Sequence, residues 1–214
     1  MGDEFPTKFL IDGIDRLGKS SLIKRIQDEL GYHLVIHYDK PKLLANYLTD
    51  AEYILENPRD TDYGPEYSSL NKEQLALRLY QDETNNGMFD LLNTNTPIIF
   101  DRTHLGECVY APLYRGYDGS YVFNLERDYV DSKMYTVKEN VRLILLTTSH
   151  FEMLQDDGQS FNFANKEKEQ QLFIDAFNKS SLPNKVIVDV HNGSKGYKSF
   201  DEIFREAIYK DVSK

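Results

Sequence analysis

One eight-residue segment constrains the fold of this 214-residue chain more than any other. Residues 13–20 have the sequence GIDRLGKS, a complete match to the G-x-x-x-x-G-K-S/T pattern. The apolar run Phe9–Ile11 precedes the segment and predicts a strand, and apolar residues at helical spacing follow it from Leu22 until Gly31. Because this pattern binds phosphate groups between a strand and a helix, we predict an α/β protein with a phosphate-binding loop.

The residue types of this loop suit a nucleoside triphosphate and a magnesium ion. Gly13 and Gly18 allow the backbone to turn, so that successive N–H groups point at phosphate oxygens. Lys19 is expected to contact the β- and γ-phosphates, and Ser20 is expected to bind Mg²⁺. The predicted cofactors are therefore ATP and Mg²⁺, and the predicted nucleotide-binding residues are Gly13, Asp15, Arg16, Leu17, Gly18, Lys19, Ser20 and Ser21.

Further apolar runs predict four more strands, with helical patterns between them: Leu34–Ile36, Pro97–Asp101, Val141–Thr148 and Lys185–Val190. This alternation is typical of stacked β-α-β units, so the predicted fold is a three-layer α/β arrangement of about five parallel strands covered by helices. The last two runs are almost continuously apolar, as expected of strands that helices cover on both faces.

The longest connection, roughly residues 40–95, lies between the second and third strands. It predicts a helix around Leu43–Leu55 and, after a turn-rich segment, a second helix with Asn71 as N-cap and Gln74 completing a capping box. Insertions of this kind are expected over the carboxyl edge of the sheet, where open α/β folds bind ligands. No repeat or flexible linker interrupts the sequence, which predicts a single domain over residues 1–214.

Charge and cysteine content exclude several functional classes. The chain has 35 acidic and 25 basic residues, and its net charge of −10 disfavours a protein that coats DNA or RNA. The single cysteine, Cys108, cannot form an internal disulfide, and the N-terminus lacks the basic and apolar regions of a signal peptide. The longest apolar runs are only as long as a strand. These features predict a cytoplasmic protein with no membrane partner.

Two motifs resemble those of thymidylate kinases. Asp15 and Arg16 inside the loop, followed by Ser20 and Ser21, are similar to the phosphate loop of the eukaryotic type. Residues 101–103 read Asp-Arg-Thr at the end of the third strand and agree with two positions of the family's Asp-Arg-Tyr motif. The N-K-x-D pattern of GTPases is absent from the sequence.

The resemblance extends to topology and implies a P-loop kinase fold. The helical insertion precedes the third strand, and a lid-like segment, roughly residues 149–166, follows the fourth. The implied activity is ATP-dependent phosphoryl transfer to a deoxynucleoside monophosphate, above all dTMP or a related pyrimidine deoxynucleotide. The lid contains no arginine, consistent with an arginine in the loop supplying that charge. Related kinases are often homodimers, so a homodimer is also an expectation.

The resemblance implies a role for each charged residue in the two motifs. Arg16 is expected to act on the transferring phosphoryl group as an arginine finger from the same chain. Asp101 is expected to hold Mg²⁺ or its water together with Ser20. Arg102 would bind the acceptor's phosphate through its guanidinium fork, and Asp15 would receive the sugar 3′-hydroxyl. The predicted catalytic residues are Arg16, Lys19 and Asp101.

Three further residues are candidates for substrate binding. The first is Arg78, which lies beside Leu77 and Gln81. These two residues stand where the family carries a phenylalanine and an arginine that bind the nucleobase. Tyr110 is a candidate for the sugar site. Asp39, at the end of the second strand, would serve as a carboxylate base if the acceptor were a hydroxyl group.

Two alternatives to a monophosphate kinase remain open. In the first, the acceptor is a hydroxyl group on a deoxynucleoside or on DNA, either at a 5′ end or on a hydroxymethylated pyrimidine; the net charge of −10 argues against DNA. In the second, the chain is a regulator that binds ATP without catalysis.

His104 and Glu107 are expected to form structural hydrogen bonds.

Overall fold

A computed structural model describes residues 6–38, 45–58, 65–132, 140–154, 162–193 and 196–210. These residues contain one parallel sheet of five strands: β1 (Lys8–Asp12), β2 (Leu34–His37), β3 (Ile98–Asp101), β4 (Val141–Thr147) and β5 (Lys185–Asp189). The strand order is β2-β3-β1-β4-β5. Strands later in the chain lie on both sides of β1, so the sheet has a switch point at the carboxyl end of β1, where open α/β sheets bind ligands.

Helices cover this sheet and complete the predicted three-layer arrangement. They are α1 (Lys19–Leu30), α2 (Ala45–Glu56), α3 (Pro65–Ser68), α4 (Lys72–Leu92), α5 (Leu105–Tyr110), α6 (Val122–Ser132), α7 (Lys166–Lys179) and α8 (Phe200–Tyr209). A widened π turn at Ala111–Arg115 continues α5. Among the described helices, none combines the length with the unbroken apolar sequence that a bilayer crossing requires.

The burial of the strands follows their position in the sheet. Every residue of the inner strands β1, β3 and β4 is buried, which confirms the expectation for Val141–Thr147. In contrast, β5 alternates between buried and half-buried residues, and three of the four residues of β2 are exposed. The expectation that β5 is covered on both faces was therefore wrong, because β5 is an edge strand that helices shield less completely.

Three basic residues on the strands hold helices against the sheet. Lys8 donates from Nζ to the carbonyl oxygen of Leu92 at the end of α4 (2.8 Å), and Lys185 donates to that of Phe177 near the end of α7 (2.8 Å). Arg142, the one charged residue of β4, donates to two carbonyl oxygens at the end of α8. Cations in this position donate to the unpaired carbonyl groups of a helix C-terminus and interact favourably with the negative end of the helix dipole.

The insertion before β3 packs largely on itself. Helices α2 and α4 contact each other through a small apolar cluster of their own, separate from the main core. The predicted capping box is confirmed: Asn71 Oδ1 accepts from the Gln74 backbone N–H (2.9 Å), and Gln74 Oε1 accepts from the Asn71 N–H (3.0 Å). Residues 43–44 of the first predicted helix and residues 59–64 of the turn-rich segment lie outside the described residues.

Candidate active site

The segment between β1 and α1 has the backbone conformation of a phosphate-binding loop. Three residues have positive φ angles: Gly13 (134°), Arg16 (75°) and Gly18 (84°). Buried Ile14 and Leu17 anchor the loop in the core, whereas Arg16 and Gly18 face solvent. A side chain at position 13 would collide with the carbonyl oxygen of Leu146 on β4, so only glycine fits there. The loop is thus held rigidly with its tip exposed.

Lys19 begins α1 and reaches back across this loop. Its Nζ donates to the carbonyl oxygens of Gly13 and Ile14, at 2.9 Å each, and the side chain is buried. Burial lowers the pKa of Lys19, and the nearby Asp15 carboxylate opposes that change. Ser20 and Ser21 follow in the first turn of α1, and both are exposed. The two serines are therefore accessible at the positive end of a helix.

Asp15 is the point where the charged residues of the site meet. Its Oδ1 accepts from Nη2 of Arg102 (3.1 Å) and lies 4.0 Å from Nζ of Lys19. Its Oδ2 lies 3.5 Å from Nζ of Lys166. Burial alone would raise the pKa of Asp15, but the three cations outweigh it and hold that pKa below its ordinary value. Asp15 is therefore an ionised carboxylate near neutral pH.

Arg102 reaches Asp15 because β3 lies next to β1. Its backbone N–H donates to the carbonyl oxygen of Ile11 on β1 (3.0 Å), and its φ angle is 71°. A residue other than glycine rarely adopts such an angle, and strain of this kind is concentrated at functional sites. The tight turn after β3 thus directs the guanidinium towards the phosphate loop.

Asp101, the last residue of β3, has one carboxylate oxygen occupied and one open. Oδ2 lies 2.8 Å from Nδ1 of His37 at the end of β2. Oδ1 is buried and has no hydrogen-bond partner within the described residues. Within the same ranges, no group of three or more His, Cys, Asp or Glu side chains is arranged to hold a metal. An open carboxylate oxygen is the type of ligand that Mg²⁺ prefers.

A second carboxylate, which the sequence analysis did not single out, lies beneath the loop. Asp12 ends β1, is fully buried, and accepts a short hydrogen bond from the hydroxyl group of Thr103. Burial raises the pKa of Asp12 to about 6, while the Thr103 hydrogen bond opposes this. Thr103 occupies the position where the resembled motif has tyrosine. Its hydroxyl group connects the turn after β3 to the end of β1, where the phosphate loop begins.

Lys166 is a site residue that the sequence analysis missed. It is the first residue of α7, its side chain is 5% exposed, and Nζ lies 2.8 Å from Oε2 of Glu169. Glu169 is fully buried and also accepts from the hydroxyl group of Tyr114 (2.6 Å). The only signal in the sequence was that Lys166 lies at the end of the predicted lid, three positions before the acidic residue Glu169.

The remaining candidates for substrate binding have different surroundings. Tyr110 stacks on Tyr114 (ring centroids 6.2 Å apart), and the Tyr114 hydroxyl group donates to Glu169, the partner of Lys166. Burial, together with the charge of Asp15, raises the pKa of Tyr110. Arg78 is buried away from Asp15's partners: it donates to both carboxylate oxygens of Asp82 (3.1 Å) and lies over the ring of Tyr121. The structure therefore brings Tyr110, but not Arg78, into the charged cluster.

Other predicted residues fall outside the cluster or outside the described residues. His104 contacts Glu126 (2.7 Å), and Glu107 accepts from Arg115 and from Tyr117 (2.7 Å), as expected of structural hydrogen bonds. Asp39 and residues 155–161 of the predicted lid lie outside the described ranges.

An exposed apolar patch borders the phosphate loop on the side of β5. It consists of Met153, Tyr197 and Phe200, which are 40%, 50% and 62% exposed. The Phe200 ring lies 4.0 Å from the position that a Cβ atom would take at Gly18. The site thus combines a phosphate loop anchored in the core, a cluster of cations and exposed apolar side chains beside the loop.

Two solved structures share this fold over nearly the whole chain. The YorR protein from Bacillus subtilis, in complex with phosphorylated GDP, is 15% identical; the match covers 92% of this chain and 91% of that one, with a TM-score of 0.54. Thymidylate kinase from Candida albicans is 18% identical; the match covers 94% and 88%, with a TM-score of 0.50. The chain therefore has the P-loop kinase fold seen in thymidylate kinase. No family model and no curated protein matches its sequence.

Proposed function

We propose that this chain is a nucleotide kinase that transfers a phosphoryl group from ATP to a deoxynucleoside monophosphate, with dTMP or a related pyrimidine deoxynucleotide as the acceptor. One observation carries the proposal: Arg102 reaches from β3 to within 3.1 Å of Asp15 inside the phosphate loop. A cation suited to an acceptor phosphate therefore lies next to the loop suited to the donor phosphates. Phosphoryl transfer depends mainly on such positioning and on positive charge.

The donor half of the site consists of the loop and the apolar patch. Backbone N–H groups of residues 13–20, with Lys19, would bind the triphosphate, and Arg16 would reach the transferring group from the exposed tip of the loop. The patch that contains Phe200 borders the loop and offers an aromatic face to a nucleobase. These features support ATP as the donor, with Arg16 and Lys19 as catalytic residues.

The residues present fit a magnesium ion. The buried Oδ1 atom of Asp101 is without a partner among the described residues, and Ser20 offers an exposed hydroxyl group. Oxygen ligands of this kind, completed by phosphate oxygens, suit Mg²⁺. When bound, the ion supplies positive charge that neutralises the phosphate oxygens during transfer. Asp101 would be kept in position by His37, which contacts its other oxygen.

The acceptor half of the site uses the same cluster from the opposite side. Arg102 would bind the acceptor phosphate, Asp15 would receive the sugar 3′-hydroxyl, and Tyr110 would line the sugar. The acceptor phosphate is already an anion at neutral pH, so transfer to it needs no general base. This matches a site in which Asp15, held by cations, is a poor proton acceptor.

The organisation of the whole chain follows from this assignment. We propose one kinase domain over residues 1–214, in which the insertion, roughly residues 40–95, binds the acceptor and the lid, roughly residues 149–166, covers the bound nucleotide. A homodimer in the cytoplasm is the proposed state, and sedimentation at micromolar concentration tests the oligomer.

The experiment is a transfer assay with labelled ATP, Mg²⁺ and a panel of acceptors. The panel holds dTMP, dUMP, dCMP, dGMP, GDP, thymidine and hydroxymethylated DNA; the guanine nucleotides are included because the YorR protein was solved with phosphorylated GDP. We expect label on dTMP or another pyrimidine monophosphate. Lys19→Met should abolish transfer, whereas exposed Lys24→Met should leave it unchanged. Label only on thymidine or DNA would contradict the proposal, and no label on any acceptor would indicate a non-catalytic protein.

A further inference from the structure

The buried Lys166 ammonium group contacts two carboxylates, and one of them, Glu169, has no role in the proposed reaction. Its Nζ contacts Glu169 at 2.8 Å and Asp15 at 3.5 Å, although Asp15 lies 151 positions earlier in the chain. Both Lys166 and Glu169 have side chains that are at most 5% exposed. A buried ion pair costs solvation free energy, and an apolar pair of similar size is often at least as stabilising. Stability alone therefore does not account for a charged pair directed at Asp15.

The two oxygens of Asp15 have different partners. Oδ1 faces Arg102 (3.1 Å), and Oδ2 faces Lys166 (3.5 Å). Contacts to both oxygens from different elements, one after β3 and one at the start of α7, determine the orientation of the carboxylate plane. A carboxylate that must accept a hydrogen bond from one particular hydroxyl group depends on this orientation.

Lys166 is itself restrained by a chain of hydrogen bonds. Glu169 binds the Lys166 ammonium through Oε2 and the hydroxyl group of Tyr114 through Oε1 (2.6 Å). Tyr114 also accepts from Asn165 (3.4 Å) and stacks on Tyr110. The chain connects α7, the π turn after α5 and the phosphate loop, so each member has a defined position.

We propose that Lys166 is a positioning residue that orients Asp15 towards the sugar 3′-hydroxyl of the acceptor, and that Glu169 holds Lys166 in place. The inference rests on the proposed function, because it assigns Lys166 to the acceptor half of that site. Lys166 thereby sets selectivity for acceptors that carry a 3′-hydroxyl group, although it does not contact the reacting phosphate.

The test compares dTMP with its 3′-deoxy analogue as acceptors for the wild type, Lys166→Met, Lys166→Arg and Asp15→Asn. Lys166→Met should lower kcat/KM for dTMP by about 10- to 100-fold, the range for losing a hydrogen bond to a charged group. For the 3′-deoxy analogue, the same variant should change kcat/KM by less than about 3-fold, since that acceptor lacks the hydroxyl group. KM for ATP should stay the same, and Lys166→Arg should keep most of the preference for dTMP.

A double-mutant cycle distinguishes a positioning role from a purely structural one. A purely structural lysine would give the same loss of kcat/KM whether or not Asp15 is replaced. In the Asp15→Asn background, Lys166→Met should reduce kcat/KM for dTMP by less than about 3-fold, because the residue it positions has already lost its charge. Equal losses with both acceptors, or fully additive losses in the cycle, would overturn the inference and leave the proposed function intact. If the wild type phosphorylates no monophosphate that carries a 3′-hydroxyl group, both proposals fail together.

Discussion

Replacing Arg16 by glycine and by alanine separates the charge of this side chain from the backbone geometry of the loop. The φ angle of Arg16 is 75°, in the left-handed region. Side chains cost about 1–2 kcal/mol in this region, and glycine avoids the cost but loses about 0.5–1 kcal/mol through its freedom in the unfolded chain. Both variants lose the same guanidinium contacts. The glycine variant should therefore be more stable than the alanine variant by about 0.5–1 kcal/mol.

The assay is thermal unfolding of the two variants, together with steady-state kinetics. For a chain of this length, the expected difference corresponds to about 1–4 °C in Tm. Both variants should lose about 10³–10⁵ in kcat, as expected for an arginine finger, with little change in KM for ATP. Thus the more stable variant should be no more active than the other.

Arg127 provides the matched control, because it is exposed in the middle of α6. There, glycine should be less stable than alanine by about 1 kcal/mol, the opposite sign from position 16. An alanine variant at position 16 that is as stable as the glycine variant would refute backbone strain at this position. A glycine variant that keeps more than about a tenth of the wild-type kcat would refute the role of the guanidinium in transfer.

Three further predictions concern groups away from the phosphate loop. Arg142→Met should lower the free energy of unfolding in urea by about 1–3 kcal/mol, since it leaves the buried carbonyl oxygen of Ala207 and the partly buried one of Lys210 without their donor. Exposed Arg127→Met should change it by less than about 0.5 kcal/mol, and equal effects would contradict the role of Arg142. Burial would raise the pKa of Glu126, but hydrogen bonds from His104, Ser181 and Ser180 lower it to about 2. The stability that this carboxylate contributes is therefore present above its unfolded pKa of about 4.3, and it is lost as the pH falls towards 2. The difference in unfolding free energy between the wild type and Glu126→Gln should thus be smaller at pH 3 than at pH 7, and a constant difference would be inconsistent with this pKa. Burial raises the pKa of Cys108 to about 12, so iodoacetamide at pH 8 should label the native protein far more slowly than the urea-unfolded protein, and similar rates would show that the thiol is accessible.

Most of the fold could be predicted from local patterns. The five predicted strands agree with the observed ones to within one or two residues, and α1 ends at Leu30, directly before Gly31 as predicted. The capping box at Asn71 was also correct, because it depends on only four consecutive residues. The predicted burial of β5 was incorrect, because the exposure of a strand depends on whether it lies inside the sheet or at its edge. Strand order cannot be read from the sequence of one strand.

The charged cluster could be predicted only in part. Asp15 and Arg102 belong to motifs, and their side chains do meet. Lys166 belongs to no motif, and lysine near the start of a helix is ordinarily solvated, so its burial beside Asp15 could not be inferred. The contact between Asp12 and Thr103 was hidden for a similar reason, since Asp12 belongs to no motif and Thr103 departs from the motif in which it stands.

The sequence by itself determined the phosphate loop, the alternation of strands and helices, and the acidic composition, since each depends on neighbouring residues or on simple counts. The tertiary structure alone decided which charges surround Asp15. The order β2-β3-β1-β4-β5 sets the end of β3 beside β1 and brings Arg102 to the loop, and the packing of α7 adds Lys166. Interactions between charges fall off with distance and strengthen on burial, so an acidic chain with a net charge of −10 can still concentrate cations around one carboxylate.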